Sequence, residues 1–316
     1  GGYYLIAAAR HPEYLEAIRR NIRLLSKATH GGLLYGGMHY FASGVSPCIH
    51  HTFGHAKALA SFLELPSVKM TSLEKLPRDS VYGVKFFKDI RTLSQGDWRA
   101  TFTGYDAEYK VKGTHPMGGA LSLLWHAQAG PIFAATMNRY KLIEAPNMQD
   151  NVRKYLMGGT PRVELTQDGV AYSNLDDLNT DITCFIENGF CRFNVNSHLV
   201  DINQQSPKQG EVPVEVNYAF SEQGVSISVE RCNDSAYLVL PVIASPKEEV
   251  RISTREASIK KNKGILYITC EAGYIDVAPT DSDGRIFNPV PGFSFVPLRI
   301  IPESIGKKIQ INIYFC

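Results

Sequence analysis

The chain has 316 residues, 44% hydrophobic and 20% charged, enough for a large buried core and inconsistent with intrinsic disorder. Its 33 lysines and arginines against 31 acids leave a formal charge of +2, which excludes the strongly basic footprint of a nucleic-acid binder and neither requires nor forbids an acidic substrate. No apolar run approaches the roughly 18 residues of a membrane span. No signal-peptide pattern is read at the start given, whose abrupt helical pattern is expected of a mature, trimmed or truncated form.

From Tyr3 to Ala28, Leu5, Ile6, Leu15, Ile18, Ile22 and Leu25 recur at helical spacing, with Arg19, Arg20 and Arg23 on other faces. Pro12 divides this amphipathic helix into a short and a longer stretch. A glycine-rich segment, GGLLYGGMHYFASGVSP, leads into a second helix, CIHHTFGHAKALASFLEL, which Pro66 stops. One helical pair cannot bury both of its faces, so further upstream helices and docking on the following domain are expected. After a polar stretch over residues 66–80 the period changes to two. Segments such as VYGVKFF, WRATFTGY, ALSLLWHAQ, CRFNVN, VPVEVNYAF, ILYITCEA and IQINIYF read as strands, with turn signals such as ENGF, SEQG, KNKG and DSDG between several of them. No fixed repeat appears, which favours a large sandwich over a propeller. The predicted fold is a multidomain α+β chain: helical over residues 1–70, then an antiparallel β-sandwich over 71–316.

The six cysteines (Cys48, Cys184, Cys191, Cys232, Cys270, Cys316) include no CxxC pair, which removes zinc-ribbon and thioredoxin readings. Most lie in β-patterned segments and read as buried free thiols, although a Cys184–Cys191 bridge across a hairpin stays open. His50, His51 and His55 cluster at the start of the second helix. His51 and His55 stand at i and i+4, the spacing of a two-histidine metal clip, but the glutamate of HExxH is missing; packed or hydrogen-bonded histidines are the other reading. Tyr35, His39 and Tyr40 lie just before them. Tyrosine and histidine suit proton abstraction from a sugar carbon, one taking a proton and one giving it. A sugar-stacking or purely structural aromatic cluster fits the same residues.

Further on, His115 precedes a proline between glycines, a setting that points it into a cleft rather than a core. Trp98 and Trp125 flank its loop. Tryptophan faces stack on sugars but also fill sandwich cores, and Trp125 is assigned to the core. Arg99 and Arg139 are candidate clamps for a carboxylate, for which the guanidinium fork is suited. No GxSxG elbow, Walker loop or Rossmann fingerprint is present. A glycosidase needs two carboxylates across a cleft, and Asp97, Asp106 and Glu108 read better as a solvated strand edge.

The order of helices and then sandwich, with the segment HPMGGALSL, resembles the heparinase II/III-like polysaccharide lyases. In these an (α/α) toroid precedes a β-supersandwich that carries an HxHxDxxSF loop. His115 falls on the first histidine and Ser122 and Leu123 on the last two positions, while Met117 and Gly119 replace the second histidine and the aspartate. The resemblance implies that residues 1–70 are the last hairpins of such a toroid and that an N-terminal helical region of the same protein accompanies them. Where that family holds a zinc, the replaced histidine and aspartate are among its ligands, so no family-type zinc site is expected here, and the implied chemistry requires no cofactor. The implied activity is β-elimination on an acidic, uronic-acid-containing polysaccharide. His115 would be carboxylate neutraliser or base and Tyr40 acid or base, with His39 and His51 as supporting donors. Tyr35, His50, Trp98, Arg99 and Arg139 would hold substrate. The implied location is the bacterial periplasm or outside the cell. The other reading is a non-catalytic glycan-binding or scaffold protein that keeps the lyase fold.

Overall fold

The computed structural model describes residues 13–47, 49, 52–54, 56–57, 60, 82–86, 90–104, 115–136, 157–187, 190–231, 235–288, 291–304 and 306–316. The chain forms two compact units. The first comprises residues 1–78, 141–152 and 289–293; the second comprises 79–140, 153–288 and 294–316.

In the first unit, α1 (Glu13–Lys27) buries Leu15 and Ile18 on one stripe, while Leu24 is exposed. Lys27 lies in the last turn, where a cation complements the helix dipole. The chain then makes a small hairpin, β1 (Thr29–His30) against β2 (Leu33–Leu34), around Gly31-Gly32, both at positive φ. Residues 49, 52–54, 56–57 and 60 are helical. Thr52 ties this segment to the hairpin: Leu34 N–H donates to its Oγ1 at 3.0 Å.

The expected (α/α) toroid is not seen among the described residues, which are nearly all β-sheet; helix is confined to α1, the 49–60 segment and a short turn at 174–176. The physical reason for the misreading is general. An apolar stripe says that a helix packs on something, but not on what, so α1 reads the same alone or within a toroid.

Every strand pair whose register is described in the second unit is antiparallel. A five-stranded sheet runs in chain order: β3 (Tyr82–Phe86), β4 (Ile90–Gln95), β5 (Trp98–Thr103), β6 (Ala120–His126) and β7 (Gly130–Ala134). Next come β8 (Arg162–Gln167), β9 (Val170–Ser173), β10 (Asp181–Glu187), β11 (Phe190–His198), β12 (Pro213–Phe220), β13 (Gly224–Arg231) and β14 (Tyr237–Ile243). The remaining strands are β15 (Val250–Ile252), β16 (Glu256–Lys261), β17 (Gly264–Ala272), β18 (Tyr274–Val277), β19 (Ile286–Asn288), β20 (Phe293–Ile301) and β21 (Ile309–Phe315). An eight-stranded sheet has the order β10-β11-β12-β13-β21-β17-β16-β15; a six-stranded sheet has the order β18-β20-β14-β8-β9, with β19 on β20.

Alternation explains how these sheets share a core. In β11, Cys191, Phe193 and Val195 are buried while Arg192 and Asn196 are exposed, the period-two signature of a sheet with one wet face. Inward residues of all three sheets, among them Phe102, Leu124, Leu165, Phe193, Leu240, Ile268 and Ile311, belong to one hydrophobic cluster. Phe102 stacks on Phe193 at 4.5 Å and meets Tyr218 edge-on at 4.8 Å, joining the five- and eight-stranded sheets.

Candidate active site

In the first unit the glycine-rich loop folds tightly on itself. Tyr40 O accepts from Ser43 N–H and Val45 N–H, at 3.2 and 2.9 Å. His39 N–H donates to Gly292 O at 3.2 Å, which seats the loop on the turn at 291–293. Gly292, at φ +88°, makes this approach feasible: a Cβ there would stand 2.7 Å from Gly37 Cα and 2.6 Å from Tyr40 Cε2. The Tyr40 ring is thus clamped and only 1% exposed. His39 is half-buried and edge-on to Phe293 at 5.3 Å.

Beside it lies an aromatic tray. His30 stacks on Phe41 at 4.0 Å, and Tyr35 meets both rings edge-on at 5.4 and 5.5 Å. Phe41 is 49% exposed, so the tray has an open face. An exposed ring beside half-buried histidine and tyrosine suits a sugar, whose C–H face packs on the ring while its hydroxyls meet the polar edges.

In the second unit the His115 loop is held by packing. Met117 N–H donates to Leu175 O at 3.0 Å, and Gly118 N–H to Gly104 O at 2.9 Å. Gly118 sits at φ +63°, with Asn174 O only 1.4 Å from where a Cβ would be. Asn174 Nδ2 donates back to Gly118 O at 3.0 Å, while its Oδ1 accepts from Val163 N–H at 2.8 Å. The glycines of HPMGG therefore permit close backbone contact. His115 is half-buried at the mouth of this loop.

The turn at 174–176 also delivers Asp177, which sequence reasoning missed. Asp177 Oδ2 accepts from His198 N–H at 2.7 Å and lies 3.3 Å from His198 Nδ1; Oδ1 accepts from Asn179 N–H at 2.8 Å. Asp177 is buried, whereas the His198 side chain is 40% exposed. With Nδ1 protonated toward the carboxylate, Nε2 keeps a lone pair for a proton. The two residues stand 21 positions apart with no motif between them, so only the fold reveals the pair.

Trp98 is fully buried, packed at 4.6 Å against His126, whose basicity burial depresses against the opposing pull of Asp97. It faces the core with Ala100 and Phe102, and sugar has no access to it. Arg99 alternates outward, and its guanidinium donates to Gly96 O and Trp98 O at 2.5 and 2.7 Å. The structure thus groups Tyr35, His39 and Tyr40 in one unit, and Trp98, Arg99 and His115 in the other. His50, His51, His55 and Arg139 lie outside the described residues. No group of three or more metal-ligating side chains occurs among the described residues.

Residues 84–316 match the sequence profile of the Ulvan lyase C-terminal domain. The chain belongs to the ulvan lyase family. Residues 1–79 match the Ulvan lyase N-terminal domain of the same family. A curated relative, the broad-specificity ulvan lyase of Formosa agariphila, is 32% identical across 98% of this chain and 49% of its own length. The chain therefore spans about half of that ulvan lyase. Among solved structures, a galactose mutarotase-like protein of Clostridium acetobutylicum aligns over 75% of this chain and 98% of its own at 8% identity and TM-score 0.41. A galactose 1-epimerase of Lactobacillus acidophilus covers the same shares at 9% identity and TM-score 0.38. Neither likeness is close enough to argue from.

Membership in the ulvan lyase family corrects the resemblance to heparinase II/III-like lyases. That resemblance leaned on the order of helix and sandwich and on His115, Ser122 and Leu123 in the HPMGGALSL segment; close packing against Asn174 and Val195 accounts for Gly118 and Gly119 there.

Proposed function

We propose that this protein is a polysaccharide lyase that cleaves uronic-acid-containing glycans by β-elimination. The observation that carries the proposal is the family match over residues 84–316. The relative named a broad-specificity ulvan lyase supports the same reading.

The reaction needs three things. Hydrogen-bond donors neutralise the uronate carboxylate so that charge can develop on it; a base takes the C5 proton; an acid protonates the O4 leaving group. Each unit holds one candidate set. In the first, His39 and Tyr35 are half-buried groups that can take and give a proton beside the open face of Phe41, and the clamped Tyr40 fixes their loop and offers its own hydroxyl. His50 and His51 are assigned as further donors on the same sequence segment. In the second, His115 is assigned to neutralisation or proton abstraction, and His198, oriented by Asp177, is a further candidate for proton transfer. Arg139 keeps its role as a carboxylate clamp. Arg99, tied to its own turn, serves substrate only by leaving those carbonyls. The reaction runs without a cofactor. The protein works outside the cytoplasm, in the periplasm or secreted, because a polymeric substrate does not cross a bilayer.

The test is the ultraviolet absorbance of the unsaturated uronate product, with a panel of uronic-acid polysaccharides and with the His39→Ala, Tyr35→Phe, His115→Ala and His198→Ala variants. Loss of signal in one pair assigns the chemistry to that unit. No signal on any polymer, with glycan still bound, would replace the lyase by a glycan-binding protein of the same family.

A further inference from the structure

The outer face of the eight-stranded sheet has a composition that folding does not require. Outward positions of sheets usually carry β-branched residues and charges, and asparagine is depleted in strands. Here Asn194 and Asn196 on β11, Asn217 on β12 and Asn312 on β21 all point to the same wet face, and β10–β13 and β21 contain no lysine. Register lines the polar groups up across the strands. Thr183, Asn194, Asn217, Ser228 and Gln310 form one row; Arg192, Ala219, Ser226 and Asn312 form the next, with Phe185 beyond Arg192.

The amides are oriented by one another. Asn194 Nδ2 donates to Asn217 Oδ1 at 2.8 Å and to Glu215 Oε1 at 3.0 Å, and Asn196 Nδ2 donates to Asn194 Oδ1. The acids are engaged locally as well: Ser228 Oγ donates to Glu230 at 2.6 Å and Asn312 Nδ2 to Glu271 at 2.5 Å. Arg192 is exposed and makes no hydrogen bond or ion pair among the described residues. Between these side chains runs a groove of about 490 Å³, with Phe185, 58% exposed, on one wall. A second depression of about 390 Å³ lies farther along the same face, beside Tyr267. Tyr267 stacks on Tyr314 at 5.1 Å and 15°. Five strand spacings separate β10 from β17, so the aromatic groups bound a track roughly 24 Å long.

We propose that this face is a saccharide-binding surface, bordered at one end of β11 by His198, and that it holds a polysaccharide chain in which acidic and neutral sugars alternate. Pre-oriented amides and hydroxyls match sugar diols, exposed rings match the C–H faces of pyranoses, and the one unpaired guanidinium in the groove matches one carboxylate or sulfate per repeat. A uniformly charged polyanion fits less well, because Glu215 and Glu230 line or border the same groove. The inference rests on the reading of this protein as one that handles acidic polysaccharide, and deepens it. The surface raises the residence of the polymer on the protein and leaves the bond-breaking step alone.

The experiment uses Phe185→Ala, the double variant Asn194→Ala/Asn217→Ala, and Arg192→Ala in the full chain. Isothermal titration gives the dissociation constant for a long uronic-acid polysaccharide and for a neutral one. Product absorbance gives turnover of short oligosaccharides of the acidic polymer, and thermal unfolding confirms that each variant is folded. The expected result is roughly tenfold weaker polymer binding for the first two variants with oligosaccharide turnover unchanged. Arg192→Ala is expected to weaken only the acidic polymer. Unchanged polymer affinity in all three folded variants overturns the proposal, and so does equal loss of oligosaccharide turnover, which would make this face the reaction site. Absence of product on every substrate sinks the lyase reading alone, since the binding measurement still decides the surface.

Discussion

The two histidine-bearing loops, one in each unit, use glycine in the same way and arrive at different surfaces. The first unit's loop closes against Gly292 and locks Tyr40 inside, while Phe41 on its other side stays half exposed. The second unit's loop closes against Asn174 through Gly118 and buries Met117, leaving His115 at its mouth. Glycine in both loops marks a close backbone approach. Whether the neighbouring aromatic or imidazole then meets solvent depends on the partner it closes on, and that partner is more than fifty residues away in each case.

The largest effect is expected where a glycine clamp is filled. Gly118→Ala forces a side chain into Asn174 O and into a left-handed backbone, and about 3 kcal/mol or more of stability should be lost by denaturant unfolding. Gly292→Ala should act similarly on the first unit; a smaller loss there would mean that its loop yields where the second unit's does not. Trp98→Ala, removing a fully buried ring, should cost about 3–5 kcal/mol, whereas Phe41→Ala should leave the midpoint nearly unchanged and lower polysaccharide turnover. The reverse pattern would exchange the roles assigned to the two rings.

A comparable loss, about 3 kcal/mol or more, is expected for Glu248→Gln, because the buried Lys261 ammonium donates to Glu248 at 2.9 Å and to Ile243 O at 2.8 Å. Burial lowers the Lys261 pKa from 10.5, so in the window between the lowered value and 10.5 the unfolded chain binds more protons than the folded one. Its contribution to stability therefore rises with pH across that window, and Lys261→Met should flatten this part of the profile.

Asp177→Asn should cost about 1–2 kcal/mol by weakening the bonds to His198 and Asn179. If His198 moves protons, the same variant lowers turnover of folded protein with KM unchanged, which a purely structural role would not do. The smallest effect concerns the thiols of Cys184 and Cys191, 3.7 Å apart. The hydrogen bond from Cys191 holds Cys184 below the usual thiol range and pushes Cys191 above it. Alkylation followed by mass spectrometry should modify Cys184 before Cys191.

The β-sandwich was legible because a period of two survives any detail of packing: Trp98, Ala100 and Phe102 alternate inward whatever lies opposite. The same alternation, applied strictly, would have placed Trp98 in the core and not against sugar. Tyr35, His39 and Tyr40 were legible as a group because they are neighbours in the chain. Their partners at residues 291–293, and Asp177 with His198, were not, because no local pattern records a contact made across long loops.

By itself, then, the sequence determined strand periodicity, the order of helix before sheet, and the chemistry available within short segments, since these depend on local backbone geometry and side-chain type. The tertiary structure alone decided that the helical part shows no toroid among the described residues, that Tyr40 is clamped while Phe41 is open, and that asparagines from three strands share one face. Those outcomes depend on which distant segments meet, which no local pattern records; in the second unit the burial of one core shared by three sheets decides it.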